Sequence, residues 1–152
     1  MKLKGYNFSR PFLGERAPQH VQNIIIRNYC EKNNYKFLLS STEYAKENNF
    51  YILQELIKNL NDYDGLVFYS LFQLPANEES RKSIYSKIIR KKKTLHFAVE
   101  NLFLKTKLDQ LKIEDNTIVY FVDDVFTVHK KRVKKMLRMM IKDNLKMRWK
   151  CE

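Results

Sequence analysis

An α/β fold with a mostly parallel sheet follows from three observations in the 152-residue sequence. Short apolar runs alternate with longer amphipathic stretches in the order βαβαβαβ, which demands right-handed crossovers and helices on both faces of one sheet. Residues 66–72 (LVFYSLF) are nearly continuously apolar, as in a central parallel strand buried on both sides. Each of the first four apolar runs ends in polar residues, where such sheets gather their ligands. The length suits a single three-layer domain with a sizeable core.

Residues 3–8 read as the first strand. Pro18 opens a helix to about Lys32, since proline fits the first helical turn, and Val21, Ile24, Ile25 and Tyr29 form its apolar face. Residues 36–41 (KFLLSS) are a second strand. Residues 50–60 are a helix with a core stripe of Ile52, Leu53, Leu56, Ile57 and Leu60. A turn at 61–65 leads to the strand at 66–72, which Gln73-Leu74-Pro75 ends. Asn77 caps a helix from Glu78 to about Lys91, and residues 94–99 (TLHFAV) form the fourth strand. Residues 105–116 read as a linker. Residues 117–122 (TIVYFV) predict a fifth strand, and 129–144 a basic helix built on Val133, Leu137, Met140 and Ile141. The organisation predicted is an α/β domain over 1–115 and a strand–helix extension over 116–152.

The net charge is +12, but residues 130–152 hold ten Lys or Arg against Asp143 and Glu152, whereas residues 1–129 hold nineteen against fifteen. Most of the excess lies in the tail, which ranks nucleic acid low as a partner of the main domain. Cys30 and Cys151 match no zinc or disulfide spacing, so no metal or cofactor is implied. No apolar run spans a bilayer and the N-terminus lacks a signal-peptide core, which predicts a cytoplasmic protein without membrane insertion.

The candidate site is the first strand end and the helix start after it. Ser9 is a candidate nucleophile with His20 as its base, and Glu43 and Glu100, after the second and fourth strands, are candidate general acid and base. Arg10 and Arg16 offer forked donors to a phosphate or carboxylate beside unpaired helix N–H groups. Glu15, Gln19, Asn23, Thr42 and Gln73 complete the predicted lining. His20, Asn23 and Arg27 share one helix face. The competing readings are a serine cap at Ser9, salt bridges of the arginines with Glu15 or Glu43, a solvated Arg27 and a core His96.

The blocks GYNFSRPFLGERAPQHVQN, LLSSTEY, DGLVFYSLFQLP and HFAVEN resemble the sporadic carbohydrate cluster proteins over about residues 4–115. That resemblance implies a role in bacterial lipopolysaccharide or capsule synthesis, with a sugar phosphate or nucleotide sugar and other biosynthetic enzymes as partners. The Gly-Tyr strand leading to Ser9, with DGLVFYSLFQLP, is also similar to the catalytic domain of serine recombinases. In that family's pattern an arginine stands where Phe8 is, and an Asp-Arg pair where Phe72-Gln73 is; lacking these cations, a pentavalent phosphate has little charge stabilisation. The tail from TIVYFVDD to RWKCE resembles an internal piece of cobalamin-binding radical SAM enzymes, without the three-cysteine cluster motif. It implies a fusion or truncation joined near residues 112–116.

Together these predict a flavodoxin- or resolvase-like domain handling a phosphorylated or nucleotide-linked sugar, by catalysis or by binding. The alternatives are a non-enzymatic accessory module and a degenerate recombinase-like nucleic-acid-binding domain. Oligomeric state is left open.

Overall fold

The computed structural model describes residues 1–12, 17–114, 118–121, 130–142 and 148–151. The chain divides into two compact units, Met1–Gln110 and Leu111–Glu152. In the first, strands β1 (Lys2–Phe8), β2 (Lys36–Glu43), β3 (Gly65–Phe68) and β4 (Thr94–Phe97) run parallel, and β5 (Leu102–Leu104) adds antiparallel to β4. The spatial order is β2-β1-β3-β4-β5. Helix α1 (Gln19–Lys32) returns from β1 to β2, whereas α2 (Tyr51–Lys58) and α3 (Glu78–Arg90) lead the opposite way across the sheet. Right-handed crossovers therefore set α1 on one face and α2 with α3 on the other.

All of β3 and β4 is buried, as the apolar runs predict. On the α1 face, Leu3 and Val67 pack with Ile26, Tyr29 and Cys30. On the other, Tyr6 lies against Phe68 with ring centroids 4.7 Å apart. The β1–β2 register slips between Lys4 and Tyr6, because β2 carries one extra residue there. Leu39, within this bulge, is 77% exposed. Gly5 stands opposite it, where any Cβ would lie 2.9 Å from the Ser40 Cα, so the close approach requires glycine.

Three elements depart from the sequence reading. The buried stripe of α1 is Gln22, Ile26, Tyr29 and Cys30, while Ile24 is 55% exposed, so the inward face is rotated from the predicted one. The run 66–72 is not one strand: β3 stops at Phe68, and Leu71–Gln73 is a 3₁₀ turn capped by Ser70. The supposed linker holds helix α4 (Lys107–Glu114), and the main sheet gains β5, which the sequence reading lacked; the strand expected over 117–122 is present at Ile118–Phe121, in a separate two-stranded sheet.

In the second unit, β6 (Ile118–Phe121) pairs parallel with β7 (Arg148–Cys151), with α5 (Lys130–Lys142) between them in sequence. Among the described residues no helix is long and apolar enough to cross a membrane.

Candidate functional site

Register brings the ends of β1 and β2 together, with Phe8 opposite Glu43, and aligns Tyr6, Phe68 and Phe97 across the sheet. The predicted polar residues at these strand ends therefore share one edge. Beside it a cleft of about 420 Å³ is lined by Phe8, Ser9, Ala17, Pro18, Gln19 and His20. Ser9 and His20 thus both line this space. The Ser9 hydroxyl, however, donates to the Glu43 carbonyl at 2.7 Å, an acceptor that cannot remove its proton as a base would. Glu15 and Arg16 lie outside the described residues.

The two candidate acid–base carboxylates hold the scaffold. Glu43 is fully buried; it accepts from the Tyr6 hydroxyl at 3.0 Å and from the backbone N–H groups of Tyr44, Ile52 and Leu53 at 3.1, 3.3 and 3.1 Å. A strand carboxylate thereby serves the free N–H groups of α2, whose own N-cap, Phe50, has no side-chain acceptor. Burial, and next the adjoining Glu43 charge, push the Tyr6 phenol well above its ordinary range, so it stays a donor. Glu100 accepts from the Ser70 hydroxyl at 2.6 Å and from the Leu71 N–H at 3.0 Å, which fixes the 3₁₀ turn.

Arg10 does not stand on the rim as an anion clamp. It is 7% exposed, donates to the carbonyls of Tyr44 and Lys46 at 2.8 and 2.9 Å, and stacks over Phe8 and Phe50 at 4.1 and 4.9 Å. Its charge is spent on the loop after β2. Thr42 donates to Asn7 Oδ1 at 2.6 Å. Asn23 is half-buried on α1, and Arg27 is exposed with its guanidinium 6.0 Å from the Phe37 ring.

Gln22, absent from the predicted set, organises this edge. It is fully buried; its Oε1 accepts from the Phe8 N–H at 2.9 Å, and its Nε2 donates to the Phe8 and Ala17 carbonyls at 2.9 and 2.7 Å. Gln73, also fully buried, donates to Gln22 Oε1 at 2.8 Å and accepts from the Ser70 N–H at 3.2 Å. The signal was its position four residues before Ile26, inside the buried stripe, where an unpartnered amide would be costly.

His96 is a core residue, 2% exposed, with Nδ1 2.9 Å from the Tyr29 hydroxyl; burial pushes its pKa down to about 4. Among the described residues, no group of three or more His, Cys, Asp or Glu is placed to hold a metal ion. The polar residues lining the cleft there are Ser9, Gln19 and His20.

The second unit offers a different chemistry. Lys130, Lys131, Lys134, Lys135 and Arg138 are all exposed on α5, and at about 100° per residue they occupy one arc of about 140°. Val133 and Leu137, next to that arc on its Lys130 flank, are half-buried.

No protein-family model and no curated protein matches the chain. The structure is similar to the N-terminal catalytic domain of TP901-1 integrase, with TM-score 0.54 and 12% identity, over 90% of this chain and 98% of that one. It is likewise similar to a resolvase family site-specific recombinase from Streptococcus pneumoniae, with TM-score 0.53 and 15% identity, over 93% and 99%. At these identities the likeness establishes the fold, that of resolvase-like catalytic domains. It also corrects the expectation of a surface-polysaccharide protein, because both of these structural neighbours are recombinase domains.

Proposed function

We propose that the protein is a nucleic-acid-binding domain on the recombinase fold, without a strand-cleavage site assembled among the described residues. The observation that carries this reading is the cation stripe of α5: five exposed Lys and Arg on one arc, suited to a row of phosphates. The absence of cleavage is supported by the strand-end geometry. Phe8 and Gln73 stand where the recombinase pattern has cations; the first stacks beneath Arg10 and the second bonds Gln22. The guanidinium nearest Ser9 in sequence, that of Arg10, is held by the Tyr44 and Lys46 carbonyls, away from a phosphoryl group transferred at Ser9.

The test has two readouts. The full chain is expected to bind duplex DNA, and the variant with Lys130, Lys131, Lys134, Lys135 and Arg138 changed to Gln to lose most of that affinity. With supercoiled plasmid, wild type and Ser9→Ala are expected to leave the DNA equally intact. Nicking by wild type that disappears in Ser9→Ala would contradict the second half of the proposal.

A further inference from the structure

A second basic surface lies on the first unit, at the edge opposite the Ser9 cleft. Because β1–β4 are parallel, their N-terminal ends and the C-terminal ends of α1–α3 meet there. Lys2 and Lys36 are register partners on adjacent strands, and Lys93 immediately precedes β4. Lys32 ends α1. At the ends of α2 and α3 stand Lys58, Lys87, Arg90, Lys91 and Lys92. Hydrogen bonds tie this edge together: the Lys36 N–H donates to the Met1 carbonyl at 2.8 Å, Lys91 Nζ to the Lys58 carbonyl at 3.2 Å, and Lys93 Nζ to the Tyr63 carbonyl at 2.7 Å.

These nine cations face four acids, Glu31, Glu55, Asp62 and Asp64. Residues 1–110 hold eighteen Lys or Arg against eleven Asp or Glu, a net +7, so this one edge carries five of those seven charges. Helix dipoles explain cations at helix ends. They do not explain Lys2, Lys36 and Lys93 at strand starts, nor the like charges at directly paired positions, which cost stability.

We infer that this edge is a second nucleic-acid contact surface, gripping phosphates independently of α5 and away from the Ser9 cleft; the inference rests on the nucleic-acid reading above. Three strand spacings span about 14 Å. Over that length a duplex carries about eight phosphate charges around both strands, so the cations present, with Lys58 already paired to Glu55, suffice for the one face that would meet this edge. The cations lie in three layers, from α1 through the sheet edge to α2 and α3, and so suit an extended polyanion better than one small phosphate. A groove of about 880 Å³ between α2 and α3 opens among them, lined at this end by Ile57, Lys58, Lys87, Arg90 and Lys91. Binding to an acidic membrane is the competing outcome of the test.

The test uses the full chain and a DNA duplex of about 30 base pairs, with affinity measured across salt concentration. Changing Lys32, Lys36, Arg90 and Lys92 to Gln is expected to make the slope of log K against log salt shallower by about 3 to 4, at about 0.9 per lost phosphate contact. Changing the three lysines to Arg instead is expected to retain wild-type binding, which separates charge from folding. If the four-Gln variant binds DNA as wild type does while the α5 variant fails, this surface is refuted and the α5 reading stands. The opposite result keeps this surface and refutes α5. No DNA binding by wild type overturns both. Equal DNA binding with selective loss of binding to phosphatidylserine vesicles or polyglutamate would also overturn the inference.

Discussion

Gln22 illustrates how a buried amide holds a strand end in place. Its side chain answers Phe8 N–H and C=O, the Ala17 carbonyl and the Gln73 amide together. Gln22→Leu would strand several of these groups in the interior and is expected to cost about 3 kcal/mol in urea unfolding. Ser9→Ala removes one half-buried hydrogen bond and is expected to cost about 1 kcal/mol. His96 gives a pH signature: its native pKa, about 4, lies below the unfolded value of about 6.5. The unfolded state therefore binds the extra proton between those values. Stability is full above about pH 6.5, falls as pH drops toward 4, and loses up to about 3 kcal/mol through this group. His96→Phe is expected to flatten that part of the pH–stability curve. Ser9 and His20 were legible as neighbours, because a strand end and the following helix start must adjoin. The work of Glu43, Glu100 and Arg10 was not, since each partner lies 30 or more residues away in the chain or belongs to backbone that only the fold brings near.

At the level of elements, helix α3 shows both kinds of end. Asn77 Oδ1 accepts from the Ser80 N–H at 2.9 Å, and Asn77→Ala is expected to lower stability by about 1 kcal/mol. Past its other end Lys92 holds φ 55°, a left-handed conformation that costs a side chain with a Cβ. Lys92→Gly is expected to raise the unfolding free energy by about 0.5 to 1 kcal/mol. Strands β1–β4 and helices α1–α3 were legible because each is amphipathic or buried over several residues. The three residues of β5 give too short a pattern to read. Helix α4 did carry a signal, a capping pair in which Asp109 accepts from the Thr106 N–H at 2.8 Å. Its exposed Leu108 and Leu111 concealed the usual apolar stripe.

For the whole molecule, alternating strands and helices led to the correct fold class, while a charge count cut at residue 129 obscured the basic balance of residues 1–110. Residues 111–129 hold one Lys against four acids, which masks the +7 of residues 1–110. Charge is read by a partner as a surface, and only the parallel topology shows that strand starts and helix ends share an edge. The proposed function rests on contact between the exposed stripe of α5 and phosphate backbone. Its most direct measurement is the equilibrium affinity of the full chain for a duplex of about 30 base pairs between about 50 and 200 mM salt, beside the five-Gln α5 variant. A steep wild-type dependence is expected, with a variant slope shallower by about 4 to 5 and weaker binding throughout. Superimposable affinities and slopes for the two proteins would contradict it.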